Sequence, residues 1–94
     1  METCHIDETE VTQNFDTALR RATQVAGERL GENMLVSWYD RERDLESPAH
    51  ASEYHEGREV KGFWDYALNH GATLTVVFDA GRFVFCFRPL KDPA

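Results

Sequence analysis

No stretch of about 18 apolar residues occurs in the chain, so nothing in it is long enough to cross a bilayer as a helix. Cysteine is scarce: Cys4 and Cys86 are two, too few for the disulfide framework of a small stapled domain. Three prolines and six glycines, without period or clustering, exclude a collagen-like or low-complexity chain. Basic residues are also in short supply, with ten Lys and Arg against seventeen Asp and Glu and a net charge of −7. A surface of that sign repels phosphate backbones and anionic headgroups, which argues against nucleic acid and membrane surfaces as partners. Gly-x-Gly-x-x-Gly, a Walker loop, Cys-x-x-Cys and His-Glu-x-x-His are all missing, so no nucleotide, redox or zinc motif supports a cofactor. Residues 1–8 hold neither a basic stretch nor an apolar core that would read as a targeting signal. The expected location is the cytoplasm, with both cysteines as free thiols.

What is present suits a folded unit. The 94 residues are 41% hydrophobic and 12% aromatic, enough for two packed layers, and no linker or repeat divides 1–94, which reads as one domain. Acidity belongs to the first two thirds: residues 1–33 hold seven acids and three bases, 34–62 seven and four, 63–94 three and three.

Phe15, Ala18, Leu19, Ala22, Ala26 and Leu30 recur at helical spacing and predict a helix over 14–30, with Asn14 as N-cap, Asp16 at its positive end and Gly31 as its stop. Residues 34–40 read as a strand. The charge run Asp40 to Glu46 is expected to leave the sheet as a solvated connection, with Ser47-Pro48 opening a helical turn. A short helix is expected at 62–70, closed by Gly71. Strands at 73–79 and 82–88, joined through Asp79-Ala80-Gly81, predict a hairpin closed by a type I turn and a bulge. In its second strand Phe83, Phe85 and Phe87 point to one side, which must be buried. Residues 1–13 either add an edge strand around Cys4 to Val11 or fray, and 89–94 form a tail. The fold class is therefore α+β, with an antiparallel sheet of about three strands and both helices on one face. The sheet's other face shows Val77, Val84 and either Trp38 or Tyr39, and self-association through that face or an edge is expected to hide them, making the chain its own partner.

Few residues point to chemistry. His50 and His55, with Glu53, Tyr54 and Glu56 beside them, offer an imidazole and carboxylate ligand set for a divalent metal, although a spacing of five fits no zinc motif and solvated surface histidines explain them as well. His70, at the end of a helix before Gly71, is either a cap on a carbonyl or, with Asp65 or Asp40, a general acid and base pair. Trp38, Tyr39 and Arg41 leave the first strand together, and with Tyr54 they are the candidate ligand contacts. Phe63, Trp64 and Tyr66 form an aromatic stripe, read as packing on the Phe83, Phe85, Phe87 face.

Ser37-Trp38-Tyr39-Asp40-Arg41, Glu46-Ser47-Pro48, Tyr66 through Leu74 and Gly81 through Phe85 make the chain similar, over most of residues 15–88, to a small family of short archaeal and bacterial proteins classed as a domain of unknown function. The resemblance implies an α+β unit in a prokaryotic cytoplasm and lends no reaction, cofactor or site residue. The leading expectation is a homo-oligomeric interaction or small-molecule binding module whose recognition surface is the 40–61 connection and the end of the 34–40 strand. The alternatives are a metal-binding protein using His50 and His55, and a small enzyme using His70.

Overall fold

The computed structural model describes residues 1–7, 13–48 and 62–90. Its elements are β1 (Glu2–Ile6), α1 (Phe15–Leu30), β2 (Asn33–Asp40), β3 (Leu45–Ser47), α2 (Gly62–Asn69), β4 (Leu74–Phe78) and β5 (Phe83–Pro89).

α1 begins where its cap chemistry places it. The Thr17 amide donates to Asn14 Oδ1 at 3.0 Å and the Asn14 amide donates to Thr17 Oγ1 at 3.1 Å, a reciprocal capping box that satisfies orphan donors of the first turn. It ends at Gly31, whose φ of 70° is open to a residue without Cβ and whose N–H reaches the Gly27 carbonyl at 3.0 Å. Ala18, Ala22, Val25 and Ala26 form its buried stripe.

The sheet has five strands in the order β1-β4-β5-β2-β3. It is mixed, because β1 runs parallel to β4 while the other three pairings are antiparallel. The expectation of about three antiparallel strands at 34–40, 73–79 and 82–88 found the central three, held the first edge only as one of two alternatives and missed β3. β1 and β2 are joined by α1 with β4 and β5 inserted between them, so the helix spans the middle of the sheet. The edge strand foreseen around Cys4 to Val11 lies at Glu2–Ile6.

β3 was missed because the charge run does not leave the sheet. Arg41 to Asp44 make a tight turn in which the Asp40 carboxylate accepts from the Arg43 amide at 3.2 Å, and Asp44 takes a φ of 48°, a region its short polar side chain tolerates. The chain then returns as β3, pairing Tyr39 with Glu46 and Asp40 with Leu45. Ser47-Pro48 therefore ends a strand, through a cis peptide bond, and does not open a helix. The β4–β5 loop also differs from a type I turn: Asp79 and Ala80 have φ of 46° and 57°, left-handed like Gly81, and the Arg82 amide closes it on the Phe78 carbonyl at 2.8 Å.

The two helices cover opposite faces, not the same one. α1 lies with Leu74, Val76, Phe78, Phe83, Phe85 and Phe87, so the three phenylalanines are buried as expected. α2 packs on the reverse side, where Phe63 and Ala67 meet Val84 and Cys86, with Val36, Tyr39, Trp64 and Val77 around them. The aromatic stripe of α2 therefore does not touch the phenylalanine face. Alternation along β5 forces the separation, since Val84 and Cys86 make a second apolar surface that needs a cover of its own. A register shift between Leu35 and Ser37 places Val36 and Ser37 on the α2 side and returns Trp38 to the α1 side. Ser37, 1% exposed, donates to the Phe63 carbonyl at 2.8 Å and pins the start of α2, whose Phe63 amide donates to Glu46 Oε2 at 3.3 Å.

Because Ala22 and Phe85 are fully enclosed between α1 and the sheet, Ala22→Leu is expected to cost about 1–3 kcal/mol by overpacking and Phe85→Ala about 3–5 kcal/mol through lost burial and cavity, read from urea unfolding midpoints.

Candidate functional site

The β2–β3 turn, the β4–β5 loop and the residues leading into α1 converge at one corner. Arg82 binds all three: it is ion-paired to Glu42 of the turn, its Nη2 donates to the Gln13 carbonyl at 2.6 Å, and its Nη1 stands 3.5 Å from Asp79 of its own loop. Hydrogen bonding to Glu42, ahead of every other influence, raises the Arg82 pKa above its ordinary value. Arg41 adds a second tie, its amide donating to the Arg82 carbonyl at 3.0 Å and its Nη1 to the Ala80 carbonyl at 3.3 Å.

Beside this knot lies an open cleft of about 370 Å³ lined by Asn14, Phe15, Asp16, Asp40, Glu42 and Arg43. Asp40 closes its inner end, only 1% exposed, and binds Arg43 through Nε at 2.6 Å as well as through the amide. The Arg43 guanidinium lies over the Phe15 ring at 5.3 Å, and Phe15 packs against Trp38 with ring centroids 4.6 Å apart. The cleft thus combines carboxylates with an aromatic face, the groups that hold a cation by charge and by ring quadrupole.

The residues singled out from sequence are dispersed. Asp40 lies on the α1 side of the sheet, whereas His70 follows α2 on the other side, so the two are not brought together. Asp65 precedes His70 by five residues, about 140° round a helix. His70 donates from Nδ1 to the Tyr66 carbonyl at 2.8 Å and stacks on the Tyr66 ring at 3.9 Å, the geometry of a helix cap. Trp38 and Tyr39 face opposite ways: Tyr39 stacks on Phe63 at 5.4 Å and donates its hydroxyl to Asp44 at 2.8 Å. Arg41 holds the Ala80 carbonyl. His50, His55 and Tyr54 lie outside the described residues, and among the described residues no group of three metal-ligating side chains occurs. Likewise no helix among them is long and apolar enough to cross a membrane.

Over residues 1–87 the sequence matches the family described as a domain of unknown function, DUF5619. The chain belongs to that family. The likeness read from its motifs therefore holds, and the family's description names no reaction. A crystal structure of a novel protein, AF1514 from Archeoglobus fulgidus, superimposes with a TM-score of 0.74 at 24% identity, over 100% of this chain and 99% of that one. That level of likeness establishes a shared fold. No curated protein matches the chain.

Within this family member, sequence reasoning had Asn14, Asp16 and Asp40 in hand separately, as cap, helix charge and strand end. It missed Phe15, Glu42 and Arg43 as companions, because only the β2–β3 turn carries Glu42 and Arg43 back to the start of α1. A signal did exist, since Asp40, which opens the charge run, is a residue type that favours turns.

Two titrating groups elsewhere respond to burial. Enclosure pushes the Cys86 thiol above its ordinary 9.0, against lowering by Thr75 and Ser37, and burial followed by the Asp44 hydrogen bond raises the Tyr39 phenol above 10.0. Both hold their protons more tightly folded than unfolded. Their stabilisation is complete below the ordinary values and is lost as pH rises past about 9. The melting temperature is expected to fall as pH rises above about 9, and less steeply in a Cys86→Ala, Tyr39→Phe double variant. In the native state at pH 8, partly exposed Cys4 is expected to react with a thiol reagent at least about 10²-fold faster than Cys86, which is reached only by unfolding.

Proposed function

We propose that this domain is a small-molecule binding module whose site is the cleft at the start of α1, and that its ligand presents a compact organic cation, an ammonium or a guanidinium. The observation that carries the reading is the seat of Arg43: in one place a guanidinium meets a carboxylate at 2.6 Å and an aromatic face at 5.3 Å. The chain's own arginine occupies the position, which supports a cation of that chemistry. Three carboxylates, Asp16, Asp40 and Glu42, line the cleft; Asp40 is paired with Arg43 and Glu42 with Arg82. Arg43 itself is 54% exposed, so an incoming cation can displace it without opening the core. A cleft of this volume admits a ligand of small-metabolite size.

An exposed ion pair and an exposed cation–π contact each contribute up to about 1 kcal/mol, so weak binding, on the order of tens of millimolar, is expected for a cation such as agmatine. Titration with agmatine, followed by amide chemical shifts, is expected to move Phe15, Asp16 and Arg43 saturably. Asp16→Asn is expected to weaken that binding by up to about 5-fold, and Arg43→Ala to strengthen it by a similar factor because the resident cation is gone. Saturation by inorganic phosphate in place of agmatine, or weaker agmatine binding in Arg43→Ala, overturns the reading.

A further inference from the structure

We infer that the outer edge of β1 is a pairing surface for a second copy of this chain, joined antiparallel across a twofold axis that passes beside Cys4. The Glu2 amide donates to the Thr73 carbonyl at 2.9 Å, and Glu2, Cys4 and Ile6 are in register with Leu74, Val76 and Phe78 of β4. In a parallel ladder alternate residues turn both backbone groups to the same neighbour, so Glu2, Cys4 and Ile6 serve β4 while the N–H and C=O of Thr3 and His5 point out of the sheet.

That outward pattern is self-complementary. Within Glu2–Ile6, the antiparallel register that pairs every outward group is the one in which Thr3 faces His5 of the second copy and His5 faces its Thr3. Four N–H···O bonds form, and the symmetry closes as a dimer. Cys4 then stands opposite its own copy as a non-hydrogen-bonded pair, with Cα atoms about 4.5 Å apart, inside the span a disulfide accepts. Both thiols lie on the α1 side, since Cys4 packs with the core under α1.

The two ends of the sheet differ in how they are guarded. β3 has three residues and is followed at once by Pro48, both devices that blunt an edge. β1 has five residues and carries no proline, no lysine and no bulge. Its charge also permits a symmetric approach: Glu2 is neutralised by Arg29, whose Nη2 reaches to 3.9 Å from Cys4 Sγ, so no uncompensated like charges meet at the axis. α1 covers β4, β5 and β2 on one face and α2 covers β2, β3 and β5 on the other, and among the described residues no strand pairs with the outer edge of β1.

The test uses the full chain. In reducing buffer at concentrations up to about 1 mM, where weak interfaces are populated, light scattering is expected to show a mass rising toward twice 10.8 kDa. Thr3→Pro and His5→Pro remove an outward N–H that β4 does not use, and each is expected to return the chain to single mass with its melting temperature held within a few degrees. Under mild oxidation with diamide, wild type is expected to cross-link through Cys4 at least 10-fold faster than a Thr3→Cys, Cys4→Ser variant, whose introduced thiols are out of register with each other. A single-chain mass throughout, a doubled mass untouched by both proline variants, or equal cross-linking at positions 3 and 4 overturns the inference. If the proline variants unfold, the cross-linking comparison decides by itself.

Discussion

The structure rests on the fit between a helix face made of small residues and a sheet face made of large ones. Ala18, Ala22 and Ala26 let α1 approach closely, and the space beneath is filled by Phe78, Phe83, Phe85 and Phe87, all at most 1% exposed. Neither surface would be stable alone. A helix whose buried stripe is mainly alanine brings little apolar area of its own, so it is held by burying the phenylalanines, each of which removes a large area from water. The rings also meet edge-on and tilted, Phe15 with Phe83 and Phe85, and Phe78 with Phe85, which fixes where the first turn of α1 must lie.

That position decides the corner. With Phe15 fixed over β5 and Trp38, the first turn of α1 lies next to the turn that follows β2. Arg82 then bonds to the backbone at Gln13 and to Glu42, while Arg43 folds back onto buried Asp40. The ion pairs in this corner add little stability where they are exposed, but they set the geometry of three loops that have few apolar contacts. A rigid three-layer scaffold, with the sheet between two helices, that presents polar loops at one end is a common arrangement for recognition.

The second face follows a different logic. Val84 and Cys86 alternate with the phenylalanines, so α2 is needed as a separate cover, and its first turn is fastened to β2 by the Ser37 hydroxyl and to β3 by Glu46. With α1 on one side and α2 on the other, the rims of the sheet are β1 and β3, which differ in length and in guarding residues.

Local signals determined much of this. The cap at Asn14, the stop at Gly31, the apolar stripe of α1, the short helix before Gly71 and the alternation of β5 all act between neighbours a few residues apart, so the chain alone carried them. The burial of Phe83, Phe85 and Phe87 was legible for the same reason. Three features were decided only in three dimensions. The side on which α2 packs depends on which apolar face remained uncovered once α1 was seated. The orientation of Trp38, Tyr39 and Asp40 depends on a one-residue register shift at Val36 and Ser37, which reverses every later side chain in the strand. The parallel seat of β1 depends on α1 carrying the chain across two inserted strands, a pairing between residues about seventy positions apart that no local pattern encodes.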